Sequence, residues 1–327
     1  MNPKLLIICG PTATGKTALA LKIAQKYNGE IISADSRQVY QDMDIVTGKD
    51  LPKNSKLKTQ NSKLGNYYLS DQIRIWGLDL AKPDEEFSVA HYQKYVCKII
   101  KDIQKRKKLP ILVGGTGLYI KAIVEGIDTI GIPPNPKLRK TLQKLSLTEL
   151  QNYLKKINPT HFNKLNRSDR HNSRRLIRAI EIAPHQQSTI NNQQSTIKTK
   201  NILIIGLKSD NQTLYQRIDK RVLKRIKKGA QKEIKNLLKK GYSWKLPSMS
   251  ALGYRQWRSF FEGKETKKDV IQKWKFAEHA YARRQLTWFK KALRQAQGKQ
   301  KVSWFDISQP KWQTKIDCLV NEWYNQK

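Results

Sequence analysis

The chain has 327 residues, with 64 lysines and arginines against 26 aspartates and glutamates, a formal net charge of +38. That length suits one large domain or two small ones. A field of this size attracts polyanions, nucleic acid first among them, although part of the excess also fits a merely Lys-rich composition. Cys9, Cys97 and Cys318 form no C-x-x-C pair, which argues against a disulfide framework and for a reducing cytoplasm. The five histidines have no ligand spacing, and no apolar run approaches the roughly 20 residues of a membrane span. A soluble, cytoplasmic protein without zinc or membrane contact is expected.

Leu5 to Cys9 reads as a buried strand and Ala18 to Tyr27 as an amphipathic helix. Between them stands Gly10-Pro11-Thr12-Ala13-Thr14-Gly15-Lys16-Thr17, the G-x-x-x-x-G-K-[ST] pattern in the strand–loop–helix context where it cradles phosphate. The glycines allow a tight turn that aims backbone N–H groups at one anion on a helix N-terminus. Lys16 adds a mobile charge for the outer phosphate, and the Thr17 hydroxyl suits Mg²⁺. Glu30 to Asp35 is a second buried strand ending in a carboxylate. Asp35-Ser36-Arg37-Gln38 then forms a polar loop at the sheet edge where ligands sit in α/β folds. The plainer alternative has Asp35 only capping the next turn.

Asn54-Ser55-Lys56-Leu57 recurs as Asn61-Ser62-Lys63-Leu64 and reads as a solvated loop insertion. Tyr67 to Leu80 alternates like a small antiparallel excursion, and Ser88 to Lys107 is a helix. Leu109 to Val113 is the third core strand, closed by Gly114-Gly115-Thr116-Gly117. A motor or hydrolase would place an acidic residue there for Mg²⁺ and water. Its absence favours group transfer.

From Gly131 the chain changes character. Ile132 to Pro136 is a stiff joint, Lys137 to Arg170 a set of short basic helices, and Asn172 to Glu181 a helix returning to the core. Gln186 to Ile190 repeats as Gln193 to Ile197, a low-complexity loop expected to be disordered. Asn201 to Leu207 is the fourth core strand. A long helix follows, capped by Asp210 or Asn211 and stopped at Gly241, with Arg217, Arg221 and Arg225 in line along one face. Ser248 to Gln256 is a loop whose Tyr and Arg suit nucleotides. Lys267 to Gln297 is a basic helix with Val270, Trp274, Ala277, Tyr281 and Trp288 inward, leaving Arg283, Arg284, Lys290, Lys291 and Arg294 for a partner. Val302 to Asp306 is a last strand before a helical tail.

Together these residues resemble the tRNA dimethylallyltransferases (tRNA isopentenyltransferases). The matching pieces are Gly10 to Thr17, Ile32-Ser33-Ala34-Asp35-Ser36, the Tyr40 to Asp44 turn and Leu112 to Tyr119. Further on come Arg174 to Glu181, Gln216-Arg217-Ile218 with Arg221, Leu252 to Gln256, and Ala282 to Phe289. They run in the family's order from residue 4 to about 306. The resemblance implies an α/β fold, a P-loop NTPase-like parallel sheet flanked by helices (1–122 and 200–327), with a small all-helical insertion (123–199).

It also implies transfer of a dimethylallyl group from its diphosphate to the exocyclic amine of the adenosine 3′ of the tRNA anticodon. By resemblance, Asp35 is the general base, and Thr116 and Arg217 contact the reacting groups or leaving diphosphate. Gly10 to Thr17 with Arg221 hold the diphosphate, and Thr17 holds Mg²⁺. Asp35, Ser36, Arg37, Gln38, Arg139, Arg174, Arg175, Arg178, Ser250, Gly253, Tyr254 and Arg255 match tRNA contacts, to which Arg283 and Arg284 add charge. The chain departs from the family at Val46-Thr47-Gly48-Lys49-Asp50 and at Ile75 to Asp79. A monomer is expected. A P-loop kinase of a nucleotide or small metabolite, and a nucleotide-gated RNA-binding protein without chemistry, remain as alternatives.

Overall fold

The computed structural model describes residues 3–52, 54–59, 64–127, 129–185, 201–292 and 302–326. Two compact units result, residues 1–125 with 196–327, and residues 126–195.

The larger unit is built on one eight-stranded sheet. In chain order its elements are β1 (Lys4–Cys9), α1 (Lys16–Lys26), β2 (Gly29–Ser33), β3 (Lys56–Thr59), β4 (Asn66–Ser70), β5 (Ile73–Trp76), α2 (Val89–Lys105), β6 (Leu109–Gly114) and α3 (Gly117–Val124). The sheet order is β3-β4-β5-β2-β6-β1, continued by the later strands β7 and β8 beyond β1. β5, β2, β6 and β1 run parallel, and the two hairpin pairings β3–β4 and β4–β5 are antiparallel. The first polar duplicate is therefore not all loop: Lys56 and Leu57 pair with Leu69 and Tyr68 on the sheet edge. Residues 61–63 of its second copy lie outside the described residues.

The smaller unit holds α4 (Pro136–Leu142), α5 (Leu147–Ile157), α6 (Pro159–Lys164), α7 (Arg167–Arg170) and α8 (Ser173–Ile182). Asparagine or serine caps each of them by accepting a backbone N–H of the first turn. Asn172 to Glu181 does not return to the sheet as expected. Leu176, Ile177, Ala179 and Ile180 of α8 close a separate core with Leu142, Leu150, Leu154 and Phe162. The repeated stretch at 186–197 lies outside the described residues.

The chain re-enters the larger unit as β7 (Asn201–Lys208), α9 (Asn211–Lys227), α10 (Ala230–Lys239), α11 (Tyr254–Phe261), α12 (Lys267–Ala292), β8 (Val302–Asp306) and α13 (Trp312–Asn325). β7 pairs parallel with both β1 and β8. The expected single helix to Gly241 is two, because Gly229 adopts a left-handed φ of 99° and starts α10. Asp210 caps α9 by accepting the Thr213 N–H at 2.8 Å.

The period-two alternation of β1 shows why both sheet faces are covered. Leu5, Ile7 and Cys9 join one core with Tyr92, Val96, Leu214, Ile218, Trp257, Trp274 and Phe289. Leu6 and Ile8 join the other, under α1 and α13, with Leu19, Ile23, Ile316, Val320 and Trp323. Glu30 of β2 is one of several polar or charged side chains in the interior, and it is paired. It accepts from Trp76 Nε1 at 2.9 Å and from both terminal nitrogens of Arg106, with Lys108 at 3.4 Å. Among the described residues no helix is long and apolar enough to cross a membrane.

Candidate active site

β1, β6 and β2 end side by side, so the loops that follow them meet at one sheet edge. There they border a cavity of about 960 Å³ in the larger unit. Thr12, Ala13, Gly15, Lys16 and Thr17 line it, as do Asp35, Ser36, Arg37 and Gln38 from the loop after β2 and Gly114 and Gly115 from β6 and the turn after it. Its lining carries nine lysines or arginines against the three carboxylates of Asp35, Asp50 and Glu278. Such a balance in a concave wall favours a polyanionic ligand.

The loop from Gly10 to Thr17 turns tightly between β1 and α1. Gly10 has φ 138°, and a Cβ there would collide with the Leu207 carbonyl of β7. Thr14 turns its hydroxyl back to the Pro11 carbonyl at 2.9 Å. Gly10, Pro11 and Thr14 shape the loop and do not line the cavity. Gly15 precedes α1 with no side-chain cap, which leaves the first-turn N–H groups facing outward. Lys16 Nζ donates to the Pro11 carbonyl at 2.5 Å. Burial, and then the neighbouring Arg221, lower its pKa to about 8.

Asp35 lines the cavity, and its Oδ1 accepts the Arg37 N–H at 2.8 Å. Thr116 is tied to this loop: its hydroxyl accepts the Ser36 N–H at 3.0 Å and its N–H donates to Ala34 O at 3.1 Å. Thr116 itself is absent from the cavity lining, whereas Ser36 and Tyr281 belong to it. It holds the wall in place without forming its surface.

The three arginines of α9 diverge. At about 100° per residue, Arg217 lies about 100° from the centre of the Leu214, Ile218 and Val222 stripe, Arg221 about 60° and Arg225 about 20°. Arg217 is accordingly exposed at the cavity rim, Arg221 half-buried, and Arg225 buried. Arg221 Nη1 donates to Thr12 Oγ1 at 2.6 Å. Arg225 Nη1 donates to Glu278 Oε1 of α12 at 2.9 Å, and Trp274 Nε1 reaches the same oxygen at 3.1 Å.

Several residues assigned to RNA have internal duties. Arg37 donates to the Pro247 carbonyl at 2.8 Å and lies 3.5 Å from Ser250 Oγ. Gln38 donates to Gly48 O at 2.9 Å. Tyr254 is fully buried and its hydroxyl donates to Glu233 at 2.6 Å, so its ring is unavailable for stacking on a base. The φ of 90° at Gly253, where a Cβ would strike Val46 and Trp274, starts α11. Ser250, Arg255 and Arg284 line the cavity; Arg283 does not, and donates to Tyr215 at 2.5 Å. In the helical unit Arg139 and Arg178 share Glu181, at 2.7 and 3.2 Å. Arg175 pairs with Asp169, and Arg174 is exposed.

Sequence reading missed Gln285. It accepts the Thr12 N–H at 2.9 Å and donates to Gly115 O at 2.9 Å, joining the phosphate loop to the glycine turn. It also missed Lys220, Asp50, Glu278 and Tyr281 in the cavity wall. It missed Glu233, which accepts the N–H groups of Asp44, Ile45 and Val46 at 2.9, 2.6 and 3.0 Å. No motif marks these residues, though the angular drift on α9 does mark Arg225 as buried and in need of a carboxylate. Among the described residues, no cluster of three or more His, Cys, Asp or Glu could hold a metal. The donor set fits only a cation carried largely by ligand phosphates, with the exposed Thr17 in the first turn of α1 as its protein contact.

A family model described as IPP transferase matches residues 38–292. A tRNA dimethylallyltransferase of Roseiflexus sp. strain RS-1 is 39% identical over 88% of this chain and 90% of its own length. One from Carboxydothermus hydrogenoformans is 36% identical over 98% of each chain. Among solved structures, a full-length tRNA isopentenylpyrophosphate transferase of Bacillus halodurans is similar with a TM-score of 0.66 and 32% identity, over 98% of this chain and 96% of that one. A eukaryotic dimethylallyltransferase acting on tRNA reaches a TM-score of 0.76 at 26% identity, over 97% and 78%.

Proposed function

The chain belongs to the IPP transferase family, and from there we infer that it is a tRNA dimethylallyltransferase. The observation that carries this reading is one cavity wall that holds a phosphate loop, a carboxylate and a bank of cations together. In the reaction, the N6 lone pair of an adenosine 3′ of the tRNA anticodon attacks C1 of the dimethylallyl group. The C1–O bond breaks with its electron pair leaving on diphosphate, and the N6 proton passes to Asp35.

The N–H groups at the α1 N-terminus, Lys16, Arg221 and Arg217 stabilise the negative charge that grows on the leaving diphosphate. Thr17 would hold Mg²⁺ against the same phosphates, and the ion would supply further charge neutralisation. Asp35 orients the amine and accepts its proton. Thr116 fixes the Asp35 loop through Ser36. The target base must leave its stack to reach this wall, and Arg255 and Arg284 at the cavity offer cations to the RNA backbone.

Release of diphosphate should require tRNA and dimethylallyl diphosphate together. Phosphoryl transfer from ATP would favour the kinase reading, and binding without reaction the RNA-binding one. tRNA affinity should fall steeply with salt, the logarithm dropping by about 0.7–0.9 per phosphate contact for each log unit. A flat salt profile would mean that the charge of +38 serves no nucleic acid.

Lys16 also gives a pH signature. Its pKa of about 8 means that the ammonium is charged below that value and neutral above it. Donor affinity in titration calorimetry should therefore weaken as pH rises through about 8. Lys16→Met should bind weakly at all pH values and show no such step; a step unchanged in that variant would assign it to another group.

A further inference from the structure

We propose that Asp50 is a positioning residue for the diphosphate site, acting through Arg221. The proposal rests on the donor reading above. Arg221 presents two edges. Its Nε and Nη2 donate to Asp50 Oδ2 at 3.1 and 2.9 Å, and Nη2 also donates to the Gly48 carbonyl at 3.1 Å. Nη1 is thereby turned toward Thr12 of the phosphate loop, whose hydroxyl it meets at 2.6 Å. The edge held by Asp50 is not the edge offered to the ligand.

The segment that carries Asp50 is itself fixed. Gly48 has φ 69°, and a Cβ there would collide with the Nη2 atoms of both Arg221 and Arg225. Beneath it, Arg225 lies 3.5 Å from the Thr47 carbonyl and is anchored on Glu278. Two guanidinium groups thus close on one glycine, and their repulsion is offset by one carboxylate each. A free arginine would distribute over many rotamers and lose that freedom on binding. A fork held by Asp50 and Gly48 meets the phosphate already oriented.

The opposite role is physically distinct. Asp50 could compete with the ligand for Arg221, and its removal would then tighten diphosphate binding. The two roles differ in sign. With Mg²⁺ present, Asp50→Asn should raise the Kd of inorganic diphosphate, and the KM of dimethylallyl diphosphate, roughly ten-fold, the scale of one charge-assisted hydrogen bond. The KM of tRNA should stay within about two-fold, because the close partner of Asp50 is Arg221 at 2.9 Å, while Lys228, at 3.9 Å, does not line the cavity. Asp50→Glu, which keeps the charge, should recover most of the loss.

The decisive comparison is the double variant. In an Arg221→Ala background, Asp50→Asn should add no further loss of diphosphate affinity, since nothing is left to position. Tighter or unchanged diphosphate binding in Asp50→Asn, or the same loss repeated without Arg221, overturns the proposal. If the unaltered chain failed to bind dimethylallyl diphosphate, the donor reading would fall instead.

Discussion

If Asp35 is the general base proposed above, Asp35→Asn should lower the single-turnover rate of prenyl transfer by about 10²–10⁴-fold, the range for a lost general base. The adenine amine is a weak nucleophile because its lone pair is delocalised into the ring. A carboxylate bonded to it aligns that lone pair and removes the proton as the new bond forms. Asn keeps the size of Asp35 and an oxygen for the Arg37 N–H, which Asp35 Oδ1 now accepts at 2.8 Å, so the loop persists. Only the capacity to take the proton is lost. Binding of tRNA and of donor should change by no more than a few-fold. Near-normal turnover with both substrates saturating would remove Asp35 from proton transfer.

Arg225→Met should destabilise the larger unit by about 3–5 kcal/mol, the cost of stranding one member of a buried ion pair. Arg225 and Glu278 side chains are 6% and 8% exposed, and Nη1 and Oε1 stand 2.9 Å apart. Methionine fills much of the arginine stem's volume, so the loss comes mainly from the unpaired carboxylate. Trp274 Nε1 would remain as a donor to Glu278, and one neutral N–H does not replace a guanidinium. Glu278→Gln in the same background removes the stranded charge and should restore most of the stability. Urea unfolding followed by tryptophan fluorescence reads both variants. A single variant within about 1 kcal/mol of the unaltered chain would show that the pair is solvated or dispensable.

The parts of this architecture that could be read in advance are those written locally. Leu5 to Cys9 is an apolar run followed at once by its glycine loop, and strand, turn and helix start follow from neighbouring residues alone. Asp35 was legible for the same reason, as a carboxylate ending a buried strand. Gln285 was not, because it lies 273 residues from the Thr12 N–H that it accepts, and one glutamine on a helix carries no periodic mark. The Glu278 partner of Arg225 is likewise set by how α9 packs on α12. Tyr254 was misread because Tyr beside Arg255 suits an RNA surface equally well; only the start of α11 at Gly253 turns the ring inward. Gly229 is as good a helix stop as Gly241 in composition, but apolar spacing resumes immediately after it, so the pattern alone points to Gly241.

The most direct test of the central claim is mass spectrometry of nucleosides from unmodified tRNA incubated with the protein, Mg²⁺ and dimethylallyl diphosphate. The predicted result is one adenosine per tRNA, 3′ of the anticodon, heavier by a single C5H8 unit and absent when donor or protein is omitted. Unmodified adenosine throughout, with tRNA and donor both demonstrably bound, would contradict it.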